Sequence, residues 1–108
     1  MKYLLWFALF LPLGNSYASQ WAGTVIQIKA QTISKTVLFR LSGDIDSPAR
    51  CNEANMYAID LQSPGGKVVF DLIKYAYLNQ LPVTAKSLHT CEAHWKSEGV
   101  KEIVLQQP

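Results

Sequence analysis

The chain has 108 residues, 49% of them hydrophobic, and its ten basic and eight acidic residues leave a formal net charge of +2. That length holds one small domain and leaves no room for two. So even a balance excludes the strong electrostatic field that gathers nucleic acid or anionic lipid.

The first residues have the three parts of a secretory leader: Lys2 as the charged start, an almost wholly apolar run over residues 3–13, and a polar end over 14–18. Ser16 and Ala18 place small residues where a signal peptidase inspects the chain, and Pro12 and Gly14 break the apolar helix just before them. The apolar run is shorter than the roughly 18 residues a bilayer-spanning helix needs. Residues 1–18 therefore read as a signal peptide cleaved after Ala18, and residues 19–108 as one exported domain, secreted or periplasmic, with no membrane attachment after cleavage. Without Lys2, nine basic residues face eight acidic ones.

Cys51 and Cys91 both lie in the exported part. In an oxidising compartment an even cysteine count is read as pairing, so a Cys51–Cys91 disulfide is expected. Closing a loop of that length stabilises the fold by about 4 kcal/mol in the chain-entropy model.

Residues 21–28 are rich in β-branched side chains, and residues 36–41 follow after a polar link, so a hairpin or meander is predicted. In the second strand Val37, Phe39 and Leu41 share one face and Leu38 and Arg40 the other, which marks one side as buried. Turn residues Ser42, Gly43, Asp44, Asp46, Ser47 and Pro48 open a loop running to about Asn55. Alternation over residues 56–61 predicts a third strand.

A helix is predicted over residues 67–80, with Ser63 as N-cap, Pro64 at the first helical position, and Pro82 forbidding continuation. On a wheel, Val68, Leu72, Ala76, Val69 and Ile73 form a broad apolar arc, edged by Tyr75 on one side and by Phe70 and Tyr77 on the other. Lys67, Asp71 and Lys74 fill the narrow stripe left for water, and Leu78 interrupts it. The arc fits a helix lying deep across one end of a sheet; a helix that also packs against other subunits is the alternative, with Phe70, Tyr75, Tyr77 and Leu78 as its interface.

Residues 82–89 and 100–106 read as two more strands, separated by a polar loop containing Trp95 and ending at Gly99. The fold class expected is mainly β with one helix: a five-stranded antiparallel barrel of the oligonucleotide/oligosaccharide-binding type, order β-β-β-α-β-β. An open antiparallel sheet with the helix on one face is the alternative.

No catalytic constellation emerges. Cys51, His89, Cys91 and His94 supply the atom types of a zinc site, but their spacing matches no standard module, and no metal or cofactor is expected. The run Ser63-Pro64-Gly65-Gly66-Lys67 joins a strand to a helix, yet it lacks the length of a P-loop and has Val68 where a Ser or Thr belongs. There is no Gly-x-Ser-x-Gly elbow and no spaced carboxylate pair on a recognisable scaffold, so an enzyme is not expected. Trp21 and Trp95 are the candidate ligand-binding residues, since aromatic faces stack on sugar rings and anchor interfaces. The competing reading has Trp21 closing the barrel end and Trp95 covering the disulfide.

The exported part resembles the small domains of the subtilase cytotoxin B-subunit type. The likeness rests on Trp21, Gly23 and Val25 at the start, Cys51 ahead of a short strand, the turn 63–67, and the helix end Leu72 to Val83 with Ala76-Tyr77-Leu78-Asn79-Gln80. Cys91 and Glu102-Ile103-Val104-Leu105 complete it. The resemblance implies a barrel with a disulfide across it and, in toxin members, a ring of five subunits that binds cell-surface glycans and carries a catalytic A subunit. Ala22 and Ser87 stand where the toxin subunit has a sugar-holding serine and tyrosine, so no sugar-contacting residue carries over. The expected function is a non-catalytic exported binding module for a cell-surface glycan or a protein partner, in a homo-oligomer, with no nucleic-acid partner. A small periplasmic structural or inhibitory protein that binds another protein is the alternative.

Overall fold

The computed structural model describes residues 19–105. The signal-peptide reading falls on residues 1–18, outside the described residues. The described part is mainly β with one helix, as the patterning predicts: β1 (Gln20–Gln31), β2 (Thr36–Leu41), β3 (Tyr57–Asp60), α1 (Gly66–Asn79), β4 (Pro82–Ser87) and β5 (Glu98–Leu105).

The strands neighbour one another in the order β1-β2-β3-β5-β4, and β1 also pairs with β4, so the sheet closes on itself. β1 is long enough to serve two partners. Gln20 to Thr24 pair with β4, and Val25 to Gln31 pair with β2, with a register shift between Val25 and Gln27 just past the changeover. Gly23, at φ 147°, lies where the strand makes that change, and a Cβ there would sit 2.6 Å from Ser42 Oγ.

One pairing corrects the expectation of a wholly antiparallel sheet. β3 and β5 run parallel, with Tyr57 opposite Glu98 and Ala58 opposite Gly99. The reason is parity: around a closed ring of five strands, up and down cannot alternate without one neighbouring pair pointing the same way.

Inside, Trp21, Phe39 and Tyr57 meet as an aromatic cluster, the Tyr57 ring edge-on to Trp21 at 5.1 Å and to Phe39 at 6.0 Å between centroids. Val25, Val37, Leu41, Ile59 and Val83 complete the lining, and Ile73 and Ala76 of α1 enter it from one side. The outer face of β2 and β3 is covered as well: Leu38, Met56 and Ala58 form a second cluster against Ala93. Leu38 is therefore buried on the side the alternation assigns to water, because the loop after β4 folds back over it.

The helix start also differs from expectation. Ser63 is not its N-cap: the Oγ donates to the Asp60 carbonyl at 2.8 Å, and Gly65 holds the cap position with no side-chain bond. Gly66 is buried there because the first turn presses on β3, and a Cβ would collide with the Asp60 carbonyl. At the other end Gln80 takes a left-handed φ of 53° ahead of Pro82.

Only Gly66, Ile73 and Ala76 of α1 are buried, which corrects the picture of a helix lying deep across the sheet. Phe70 is half-buried, whereas Val68, Leu72, Tyr75, Tyr77 and Leu78 are exposed. Short strands curled into a closed sheet offer the helix a contact one or two side chains wide, so only the centre of its arc finds cover.

Candidate functional site

Two long loops meet beside the parallel β3–β5 pairing. One joins β2 to β3 and carries Cys51; the other joins β4 to β5 and carries Cys91, and the two cysteines form a disulfide with a Cα–Cα distance of 6.1 Å. With both sulfurs bonded, neither cysteine can supply a thiolate, so the zinc grouping with His89 and His94 is ruled out.

Beside the disulfide lies a polar knot that the sequence reading missed. Glu98, first residue of β5, has 0% of its surface exposed. Its Oε2 accepts from the Ala49 amide at 3.1 Å and from Asn52 Nδ2 at 2.7 Å; its Oε1 accepts from Ser87 Oγ at 2.8 Å. His89 Nδ1 stands 3.8 Å from Oε1, and its backbone N–H donates to Ser87 Oγ at 2.9 Å. One carboxylate thus joins β5, the end of β4 and the Cys51 loop. Its partners lie 49, 46 and 11 residues away, so no local pattern marks the residue.

The polar chain continues inward. The Ser87 amide donates to the Ser19 carbonyl at 3.1 Å, and Ser19 Oγ is 2.6 Å from the Tyr57 hydroxyl. Burial pushes the Tyr57 phenol up from its ordinary 10.0; the Glu98 charge adds to this and the Ser19 hydrogen bond opposes it. A histidine beside a buried carboxylate is half of an acid–base arrangement. Here Ser87 Oγ donates to the carboxylate itself, so the bond ties β4 to β5.

Above the knot the Cys91 loop is tied down along its length. The Leu88 amide donates to Gly99, the Gly99 amide to Thr90, and the Ala54 amide to Lys96, at 2.8, 2.9 and 3.0 Å. His94 Nδ1 accepts the Lys96 amide at 3.2 Å, and Thr36 Oγ1 reaches the Ala93 carbonyl at 3.4 Å. At the tip of this braced loop Trp95 is 73% exposed, with Lys96 Nζ 4.4 Å from its ring centroid. The same loop contributes Leu88, Thr90, Glu92 and Ala93 to a cleft of about 230 Å³, whose other wall is Asp60 at the end of β3 and Ser63 and Gly66 on the way into α1, with Lys101 from β5.

The two tryptophans proposed for ligand binding therefore part company. Trp21 is buried in the core, and its indole N–H donates to the Gly43 carbonyl at 2.6 Å, so the reading of it as an exposed ligand-binding aromatic is corrected. It points inward because the alternation of β1 puts it on the same face as the buried Val25, opposite the buried Ala85 of β4. Trp95, by contrast, stands mostly in water.

Among the described residues no helix is long and apolar enough to cross a membrane, and no group of three or more His, Cys, Asp or Glu side chains is placed to hold a metal ion. Comparison with known protein families, curated proteins and solved structures finds no match to this chain.

Proposed function

We propose that this protein is an exported, non-catalytic binding module that presents the Cys91 loop, with Trp95 at its tip, to a glycan on a cell surface. The observation that carries the reading is the combination at Trp95: a large aromatic left 73% exposed on a loop braced by a disulfide and by backbone hydrogen bonds. Exposed in this way the ring adds little to folding, whereas a rigid aromatic face loses little entropy when it stacks on the apolar side of a sugar. A cleft lined in part by the same loop, though not by Trp95, offers hydroxyl, carboxylate and ammonium groups from Thr90, Glu92 and Lys101 for directional bonds.

The closed sheet and the order β-β-β-α-β-β support a barrel of the oligonucleotide/oligosaccharide-binding type, and with it the resemblance to toxin B-subunit domains. Fold alone does not carry function, so the proposal rests on Trp95 and not on that likeness. A glycan array probed with wild type and with Trp95→Ala is the test. The expected result is binding to a restricted set of glycans, weakened about tenfold or more by the substitution. No binding by wild type, or equal binding by both proteins, overturns the reading.

A further inference from the structure

We infer that the outer face of α1 is the contact surface for a second copy of this chain, the two helices packing antiparallel across a two-fold axis that meets this face midway between Val68 and Leu78. The buried residues Gly66, Ile73 and Ala76 define the side of the helix facing the sheet. On the other side stand Val68, 62% exposed, Tyr75 at 56% and Leu78 at 77%, with Leu72 at their edge. Residues 68, 71, 75 and 78 follow the alternating three-and-four spacing of a coiled-coil seam, and Leu72 flanks it. The seam therefore has the order Val68, Asp71, Tyr75, Leu78: apolar or aromatic throughout, with one acid.

That acid identifies the occupant and its direction. A parallel second helix would set Asp71 against its own copy, two carboxylates facing one another. An antiparallel copy places Val68 opposite the partner's Leu78. The same register sets Asp71 beside the partner's Lys74 and the partner's Tyr75. Within one chain Lys74 makes two weak contacts, 3.8 Å to Asp71 and 5.0 Å to the centroid of the Phe70 ring, and both charged side chains stay more than half exposed, so a pairing across the axis has only weak surface contacts to displace. A contact that matches its own surface under a two-fold rotation closes at two copies. The surface does not use Trp95, so this inference and the glycan reading fail independently.

Sedimentation equilibrium at micromolar concentration, on protein expressed from the complete sequence, tests it. Wild type is expected to be a dimer, and Leu72→Lys or Leu78→Lys to weaken association about tenfold or more. Asp71→Lys alone sets like charges across the axis, as does Lys74→Asp alone, and both are expected to dissociate. An equimolar mixture of these two variants restores opposite charges at both crossings and is expected to regain the dimer. That rescue does not depend on any single variant's stability, and pairing within one helix cannot produce it. A monomeric wild type, an assembly larger than two, or a mixture no tighter than its components overturns the inference.

Discussion

Two regions of this protein invert the usual sorting of residues, and in opposite directions. Beside the disulfide a carboxylate, Glu98, is wholly buried; on the outer face of α1 the aliphatic and aromatic side chains Val68, Leu72, Tyr75 and Leu78 stand in water. The first is tolerable because each Glu98 oxygen is hydrogen-bonded, so its desolvation is offset by fixed donors. The second has no such compensation within the chain. Burial of polarity is thus explained by the fold itself, while exposure of apolar surface points beyond it.

The sharpest way to break this comparison is to remove the acceptor and leave its donors. Glu98→Leu strands the Ala49 amide, Asn52 Nδ2 and the Ser87 hydroxyl in a buried site, and is expected to cost about 3–5 kcal/mol in urea unfolding. Glu98→Gln is expected to cost only about 1 kcal/mol, because the amide oxygen keeps the two nitrogen donors and the Ser87 hydroxyl can turn to accept. Equal losses for the two substitutions would make Glu98 a space-filler and dissolve the contrast.

A smaller effect comes from the inner end of the same polar chain. Tyr57→Phe removes the bond to Ser19 Oγ and is expected to cost about 1 kcal/mol at neutral pH. The folded phenol holds its proton above the ordinary 10.0, so the stability it contributes is fully present below pH 10.0 and is lost as pH rises through the folded value. Unfolding measured across that range is expected to show an alkaline decline for wild type, with the Tyr57 component absent in Tyr57→Phe. Identical alkaline slopes would place the phenol in an ordinary solvent-like setting.

The smallest effect belongs to the helix face. In the dissociated chain Leu78→Lys is expected to leave stability within about 0.5 kcal/mol of wild type, because the side chain touches little that folding orders. A loss of 2 kcal/mol or more, of the size about expected for burying a leucine, would mean the chain covers this face itself, and the inversion would vanish.

Several features were legible in the sequence because they depend on neighbours along the chain. β-branched content marked β1, alternation marked β2 and β3, turn residues bounded β4 and β5, 3.6-residue spacing marked α1, Pro82 marked its end, and the even count of two cysteines marked the disulfide. Strand ends were less legible: Gly66 starts α1 in place of a Ser63 cap because β3 presses on that turn, and His89, at φ 64°, lies just beyond the end of β4 at Ser87.

What only the tertiary structure decided depends on residues brought together from far apart. The inward turn of Trp21 required knowing that this end of β1 pairs with β4 and so closes the sheet over it. The burial of Leu38 required a loop some 50 residues downstream to fold over its face. Glu98 looks like any acid at the edge of a polar loop, and its three donors become visible only when β5, β4 and the Cys51 loop converge. The wheel of α1 likewise measured how apolar the helix is but not how much of that arc a closed five-stranded sheet can cover. Side-chain chemistry is local and so is written in the sequence; whether a given surface is met by a partner is a property of three-dimensional closure, which periodicity does not encode.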